Sequence, residues 1–412
     1  MKNDFLQEMQ DRGFINQCTD LDKLREICNK KSISGYIGFD CTASSLHVGS
    51  LLQIMILKLM QKYGHRPIVL LGGGTTLIGD PSGKDSTRKI LGQSEIKNNI
   101  KSIKKVFNKI LYTSNKNTSP VFVDNADWLT KLNYIQFLRD TGSHFTINKM
   151  LSFDSVKLRL DREQSLSYME FNYMILQAFD FYQLFKNNNC ILQIGGSDQW
   201  GNIVNGVDLI RRKLQKEAYG LTSPLITLAS GTKMGKTEKG AIWLSEDKLS
   251  PYDYWQFWRN TDDRDVKRFL NFFTEIKQKE LKEIIDKEKN INNLKVLLAN
   301  EATKILHGET ASKKAEKTAK DTFEGGGLSS GLPELTIKSN EIEQGISILD
   351  FISKNKILSS KSEVRRVIAN RGFKIDGNII EDEKKVIRLT DFKNNVFKLS
   401  YGKKKHYLVK II

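Results

Sequence analysis

Five histidines occur in these 412 residues. One of them, His47, lies in "SSLHVGSLLQIMILKLMQ", directly before a glycine and an apolar run. The spacing of Leu51, Ile54, Ile56, Leu57 and Met60 predicts a helix that Ser44 or Ser45 can cap. His47 and Ser50 then sit at its first turn, where amides lack a helical partner and the macrodipole favours an anion. A histidine there can equally be a cap with no ligand. Four further stretches carry groups that can do chemistry. "IVLLGGGTTLIGDPSGKDSTR" (68–88) brings Asp80, Lys84 and Arg88 into a glycine-dense loop whose cations suit phosphate, although its spacing matches neither G-x-G-x-x-G nor a P-loop. In "YMEFNYMILQAFDFYQLF" (168–185), Tyr173, Gln177 and Asp180 recur at i, i+4 and i+7. They share one face of an otherwise apolar helix, which suits either a ligand pocket or a solvent stripe. "LQIGGSDQWGN" (192–202) ends a strand in glycines followed by Ser197, Asp198 and Gln199, and "SGTKMGKTEKG" (230–240) is a glycine-flanked loop bearing Lys233 and Lys236.

Such groups need a scaffold that aims them at one point. "GYIGFDCTA" (35–43) reads as a strand entering a loop, and with the helix after it forms the opening of a nucleotide-binding α/β unit. Residues 30–225 alternate short strands with helical stretches, which implies a largely parallel sheet with polar groups gathered at the carboxyl ends of its strands. From 250 to 320 the pattern is helical, without alternating runs. "FEGGGLSSGLPE" (323–334) is a connector by composition, and few contacts are expected across it. The expected boundaries are 1–228 for the α/β part, with a helical insertion at about 128–165, then 229–322, a linker over 323–344 and a basic module over 345–412.

A chain this long exceeds one compact core. Hydrophobic content of 39% and charged content of 27% are ordinary for a globular protein. The best apolar run, 51–60, is too short to span a membrane and is interrupted by Gln53 and Lys58, and the N-terminus lacks a signal-peptide core, so a cytoplasmic protein is expected. Cys18, Cys28, Cys41 and Cys190 are scattered, without the pairing that a disulfide framework or zinc site would show. Net charge is +17, and residues 345–412 carry 16 Lys and Arg against 7 Asp and Glu, a net of +9. A basic module tied to a larger body is the footprint of a nucleic-acid partner.

The motifs, in their order, resemble a known family. "HVGS" and "KMGKT" are similar to the H-I-G-H and K-M-S-K-S elements of class I aminoacyl-tRNA synthetases. "YIGFDCTASSLHVGS", "LIGDPSGK", "EFNYMILQAFDF" and "LQIGGSDQWGNI" narrow the resemblance to the tyrosyl enzymes of bacteria and organelles. The tail "LSSKSEVRRVIANRGFKIDGNII" is similar to an RNA-binding module shared with a small-subunit ribosomal protein, so the resemblance covers nearly the whole chain.

That resemblance implies a Rossmann-like parallel-sheet catalytic domain, a helical anticodon-side domain and a small α+β RNA-binding module. It implies a ligase that joins tyrosine to ATP, releases pyrophosphate and passes the tyrosyl group to tRNA(Tyr). No enzyme nucleophile is needed, so catalysis would rest on positioning and charge stabilisation. Thr42, His47, Ser50, Lys84, Arg88, Lys233, Lys236 and Thr237 would act on the ATP phosphates. Gly38, Asp40, Gly49, Gly196 and Asp198 would complete the nucleotide site, with Mg2+ accompanying ATP and no protein metal site. Tyr36 and Asp180 would meet the substrate's phenolic hydroxyl. Tyr173, Gln177 and Asp80 would meet its ammonium group, with Gln193 and Gln199 alongside. Lys361, Arg365, Arg366 and Arg371 would hold RNA, and the apolar face of 128–151 would bury in a homodimer. Two departures from the general motifs stand out: Ser50 replaces the second histidine and cannot carry its charge, and Gly235 replaces the serine of the lysine loop. A small nucleotidyltransferase shares the histidine-glycine helix start but lacks the helical domain and basic tail. A non-catalytic RNA-binding protein would have no use for the Lys233–Thr237 loop or the Tyr36/Asp180 pair.

Overall fold

The structure, a computed structural model, describes residues 5–80, 91–237, 240–324, 332–402 and 405–412. Six strands form the main sheet: β1 (Gln17–Cys18), β2 (Ser34–Asp40), β3 (Arg66–Gly72), β4 (Val121–Asp124), β5 (Cys190–Gly196) and β6 (Tyr219–Ser223), in the order β1-β6-β5-β2-β3-β4. All neighbours pair in parallel except β1 on β6. Ile68, Val69, Leu70 and Leu71 are all buried in β3, as a parallel strand covered on both faces requires.

Helices α1 (Phe5–Asp11) and α2 (Leu21–Lys30) precede β2, α3 (Leu51–Lys62) joins β2 to β3, and α4 (Gln93–Ile110) lies between β3 and β4. Four helices, α5 (Ala126–Leu129), α6 (Tyr134–Asp140), α7 (Ile147–Leu151) and α8 (Asp154–Asp161), follow β4. Next come α9 (Tyr168–Asn188) and, after β5, α10 (Trp200–Leu214). Ser167 and Glu170 cap the start of α9 reciprocally, and Asn189, in the left-handed region at φ 50°, ends it. The chain runs from β2 outward to β4, then returns to the other side of β2 for β5 and β6. That reversal opens a crevice between the carboxyl ends of β2 and β5.

Beyond β6 lie a short antiparallel pair, β7 (Lys236–Thr237) and β8 (Gly240–Ala241), and the helices α11 (Pro251–Arg259), α12 (Asp263–Phe272), α13 (Gln278–Lys287), α14 (Ile291–His307) and α15 (Glu309–Glu324). The chain divides into two compact units, Met1–Leu249 with Asn260–Leu306, and Ser250–Arg259 with His307–Ile412. The second unit contains β9 (Glu334–Ile337), α16 (Ser339–Gln344), β10 (Ile346–Ser347), α17 (Ile348–Lys354), α18 (Lys361–Ala369), β11 (Phe373–Ile375), β12 (Asn378–Ile379), β13 (Val386–Ile387), β14 (Val396–Tyr401) and β15 (Lys405–Ile411). Its five-stranded sheet runs β12-β11-β14-β15-β9, and Phe351, Val364 and Ile368 of its helices pack with Phe373, Phe397 and Val409 of its strands.

Two expectations are corrected here. The span 323–344, read as linker, holds β9 and α16. Only four residues of "ELTI" alternate, and their partner β15 lies far along the chain, so the local pattern was lost among glycines and serines. Nor are contacts across the connector few. Lys398 on β14 is buried and its Nζ donates to the Thr322 carbonyl of α15 at 3.5 Å, while Asp253 on α11 interacts with Lys405 and Tyr407 of β15.

Candidate active site

Two adjoining hollows open at the crevice. The first, about 180 Å³, is lined by Tyr36, Asp80, Asn125, Tyr173, Gln177, Asp180, Gln193 and Gln199, with Gly72 and Thr75. The second, about 390 Å³, is lined by Thr42, His47, Gly49, Ser50, Asp198, Leu225 and Trp243. Gly38, Phe39, Asp40, Gln53 and Gly196 line both. In-register pairing of Tyr36 on β2 with Gln193 on β5 brings these two side chains to the floor of the first hollow.

The first hollow is polar in a buried setting. Asp180, 1% exposed, accepts from Asn125 Nδ2 at 2.8 Å and from Trp128 Nε1 at 2.7 Å. Burial pushes its carboxyl up to about 7; Asp40 and Asp124 add to the rise and the two donors oppose it. Tyr36 is equally buried and its hydroxyl has no hydrogen-bond partner among the described residues; burial, then the nearby Asp180, raises its pKa well above the ordinary value. The Gln193 Oε1 atom, also buried, is likewise without a partner among the described residues. An unpaired buried hydroxyl costs about 1–3 kcal/mol, which a ligand's own polar group would recover. At the mouth, Tyr173 donates to Asp40 Oδ1 at 3.3 Å, Gln199 Nε2 to Asp80 Oδ2 at 2.9 Å, and Asn202 Nδ2 to both Gln177 Oε1 and Gln199 Oε1 at 3.0 and 3.1 Å.

The second hollow is built around the start of α3. His47, rather than Ser44 or Ser45, occupies the cap: its Nδ1 accepts from the Gly49 N–H at 3.0 Å, ahead of a 3-10 turn, Val48–Ser50, that leads into the helix. The Ser45 hydroxyl instead donates to the Leu46 carbonyl and accepts from the Ser245 N–H. With Nδ1 an acceptor, the neutral ring carries its proton on Nε2 and is a donor there. The lysine loop rests on this turn. His47 forms a bridge with Trp243, Val48 N–H donates to Ile242 O at 2.8 Å, and Ile242 N–H donates to Gly235 O at 3.2 Å. Gly235 sits at φ +101°, where a Cβ would fall 2.5 Å from His47 Nδ1 and 3.0 Å from Gly49 N. Glycine at this departure from the general motif is therefore a steric requirement. Burial raises the Asp198 carboxyl, Asp80 adds to the rise, and Lys233 on the loop opposes it.

The structure thus brings Thr42, His47, Gly49, Ser50 and Asp198 to one hollow, and Tyr36, Asp80, Tyr173, Gln177, Asp180, Gln193 and Gln199 to the other, while Gly235 of the lysine loop lies against the His47 turn. The face shared by Tyr173 and Asp180 is no solvent stripe, for both are buried. Lys84 and Arg88 lie outside the described residues, as do the side chains of Lys236 and Thr237. Sequence reasoning missed Asn125, Trp128, Gln53, Thr75 and Asn202. The first two follow the strand end in "VFVDNADW", a polar strand-to-helix junction at the carboxyl end of β4, and that was the available signal. Among the described residues no group of three or more His, Cys, Asp or Glu side chains is placed to hold a metal ion. In the second unit, Lys361, Arg365 and Arg366 lie exposed on α18, with Arg371 just beyond its end. Lys361 pairs with Asp350, Arg365 with Glu383 at 3.8 Å and Arg371 with Glu381 at 3.3 Å.

A family model described as tRNA synthetases class I (W and Y) matches residues 29–324. The tyrosine–tRNA ligase of Pelagibacter ubique is 60% identical over 410 residues, covering all of both chains. That of Rickettsia prowazekii is 51% identical over 409 residues, covering 99% of this chain and all of the relative. Among solved structures, a C-terminally truncated mitochondrial tyrosyl-tRNA synthetase from Aspergillus nidulans aligns with a TM-score of 0.69 at 30% identity, over 77% of this chain and 94% of its own. The tyrosyl-tRNA synthetase of Archaeoglobus fulgidus, solved with L-tyrosine, shares the fold, with a TM-score of 0.56 at 16% identity over 76% of this chain and 99% of its own.

Proposed function

The chain belongs to the tyrosyl-tRNA synthetases of class I and is a tyrosine–tRNA ligase that uses ATP, and on that premise we propose how its residues divide the work. Tyrosine occupies the first hollow and ATP the second. The observation that carries this reading is the buried Tyr36 hydroxyl without a partner beside the buried Asp180. A phenol entering there donates to the Asp180 carboxylate and accepts from Tyr36, so one ligand group satisfies both. The ammonium group meets Tyr173, Gln177 and Asp80. The tyrosine carboxylate, aimed toward the shared rim at Asp40 and Gly196, attacks the α-phosphorus; pyrophosphate leaves, and tyrosyl-AMP forms.

No protein group is acylated, and rate comes from orientation and from donors aimed at developing charge. His47 gives the phosphates its Nε2 proton as a hydrogen bond, Thr42 and Ser50 add hydroxyls, and Lys233, Lys236 and Thr237 close from the loop, with Lys84 and Arg88 assisting. Asp198 meets the ribose. This donor set of hydroxyls, imidazole and ammonium groups fits phosphate oxygens, so Mg2+ would arrive on ATP as counter-charge. A terminal hydroxyl of tRNA(Tyr) then takes the tyrosyl group and AMP leaves. Lys361, Arg365, Arg366 and Arg371 hold the RNA backbone, for which their exposed acidic partners are weak competitors.

The insertion between β4 and α9 leaves Tyr134, Ile135 and Ile147 exposed at 58, 71 and 59%, and Tyr168 at the start of α9 is exposed beside them at 66%. This apolar face suits a second copy of the chain, giving a homodimer. The site of action is the cytoplasm, a reading supported by the bacterial relatives; no helix among the described residues is long and apolar enough to cross a membrane. The test of the pocket is discrimination. Tyr36→Phe should narrow the kcat/KM gap between tyrosine and phenylalanine by about 1–3 kcal/mol. An unchanged ratio in that variant and in Asp180→Ala would remove the pocket assignment.

A further inference from the structure

Asn202, on the first turn of α10 and 4% exposed, stands behind the groups that face the amino acid. Its Nδ2 reaches Gln177 Oε1 on α9 and Gln199 Oε1, and Gln199 Nε2 reaches Asp80. The sense of this chain is not free. Amides can usually be turned end for end, but a carboxylate only accepts, so Asp80 requires the NH2 end of Gln199. The Gln199 carbonyl then points at Asn202 and requires a donor. The second N–H of the same Asn202 amide is left for Gln177, which must turn its carbonyl inward as well.

We propose that Asn202 is a positioning residue for tyrosine recognition: by fixing the sense of the chain Asp80–Gln199–Asn202–Gln177, it holds the Gln177 carbonyl where its remaining lone pair receives the substrate's ammonium group. The proposal rests on the assignment of Gln177 to that ammonium. It gives Asn202 a role that neither a hydrophobic nor an acidic residue of similar size can fill. Aspartate is the sharpest contrast, because it places acceptors against two carbonyl oxygens.

Three ligands separate this role from simple packing: tyrosine; tyramine, which keeps the ammonium and the phenol; and 3-(4-hydroxyphenyl)propanoate, which lacks the ammonium. In pyrophosphate exchange, Asn202→Asp should raise the tyrosine KM tenfold or more and the tyramine inhibition constant in parallel. The inhibition constant of the deamino analogue and the KM for ATP should stay within about twofold of the parent. Asn202→Ala, which keeps the helix and introduces no misplaced acceptor, should show the same selectivity with a rise of about threefold, and it carries the test if the aspartate variant does not fold. Equal weakening of all three ligands, or no weakening of tyrosine and tyramine, would overturn the proposal. Gln177→Ala is the control. A raised tyrosine KM there beside unaffected Asn202 variants refutes the relay alone, while an unaffected Gln177→Ala refutes the assignment beneath it.

Discussion

Burial pushes the Asp180 carboxyl up to about 7. Tyrosine's hydroxyl donates to the ionised form, so tyrosine binds in competition with a proton. The sign follows directly: as pH falls through about 7, Asp180 protonates and the tyrosine KM should rise, by at most about tenfold per pH unit. Phenylalanine, with no hydroxyl, should show no such rise, and Asp180→Asn should flatten the tyrosine profile. KM measured from pH 6 to 8.5 for both amino acids checks this. Tyr36→Phe makes a second residue-level prediction. It deletes a hydroxyl that has no partner among the described residues, so melting of the unliganded protein should stay level or rise by up to about 1 kcal/mol of stability, even as selectivity falls. Legibility in the sequence differs between these neighbours. Tyr173, Gln177 and Asp180 announce themselves by helical spacing, because one face of one helix carries all three. Asn125 and Trp128, which hold Asp180, come from the cap and body of α5 some 50 residues earlier, and no local period links one helix to another across that distance.

Among the elements, the lysine loop is held to the start of α3 by backbone pairing through Ile242, which leaves no room for a side chain at Gly235 beside His47 and Gly49. Gly235→Ser would restore the residue usual in the general motif. It should nevertheless slow adenylate formation about ten- to a hundredfold, since a side chain at φ +101° costs roughly 1–3 kcal/mol before its clash with His47 is counted. Tyrosine KM should hold, because the loop belongs to the nucleotide hollow. Single-turnover adenylation with saturating tyrosine reads this, and an unchanged rate would show that the loop tolerates a side chain there. The strand–loop–helix opening and the helix after His47 were legible because apolar spacing is a local signal. The true cap was not: serines are the commoner caps, and only the pairing of 242–244 with 46–48 reveals that Ser45 is engaged elsewhere. Strand β9 was hidden for a similar reason, since its identity depends on β15.

At the scale of the whole molecule, the hydrogen bond of Lys398 to Thr322 and the electrostatic attraction between Asp253 and Lys405 tie the C-terminal sheet to α11 and α15. A chain ended near Ser330 should therefore keep tyrosine-dependent exchange at near the parent rate while losing local stability in α11 and α15, where Thr322 loses Lys398 and Asp253 loses the attraction of Lys405. Its tRNA charging should fall, and charging by the intact chain should drop steeply between low and moderate salt as counterion release requires. Equal charging by both forms at both salts would deny the basic module its role. Ile135→Asp should shift sedimentation from two copies toward one if the exposed apolar face is the dimer contact. The partition into an α/β body and a basic tail was legible from composition and charge. The assignment of α11 and α15 to the tail's unit was not, because helices near a boundary carry no mark of which side they pack on. The most direct measurement of the central claim is pyrophosphate exchange by the full-length protein with each of the twenty amino acids and ATP. Exchange with tyrosine, exceeding that with phenylalanine by orders of magnitude and absent for the rest, is the predicted result. Comparable exchange with phenylalanine, or none with tyrosine, would contradict it.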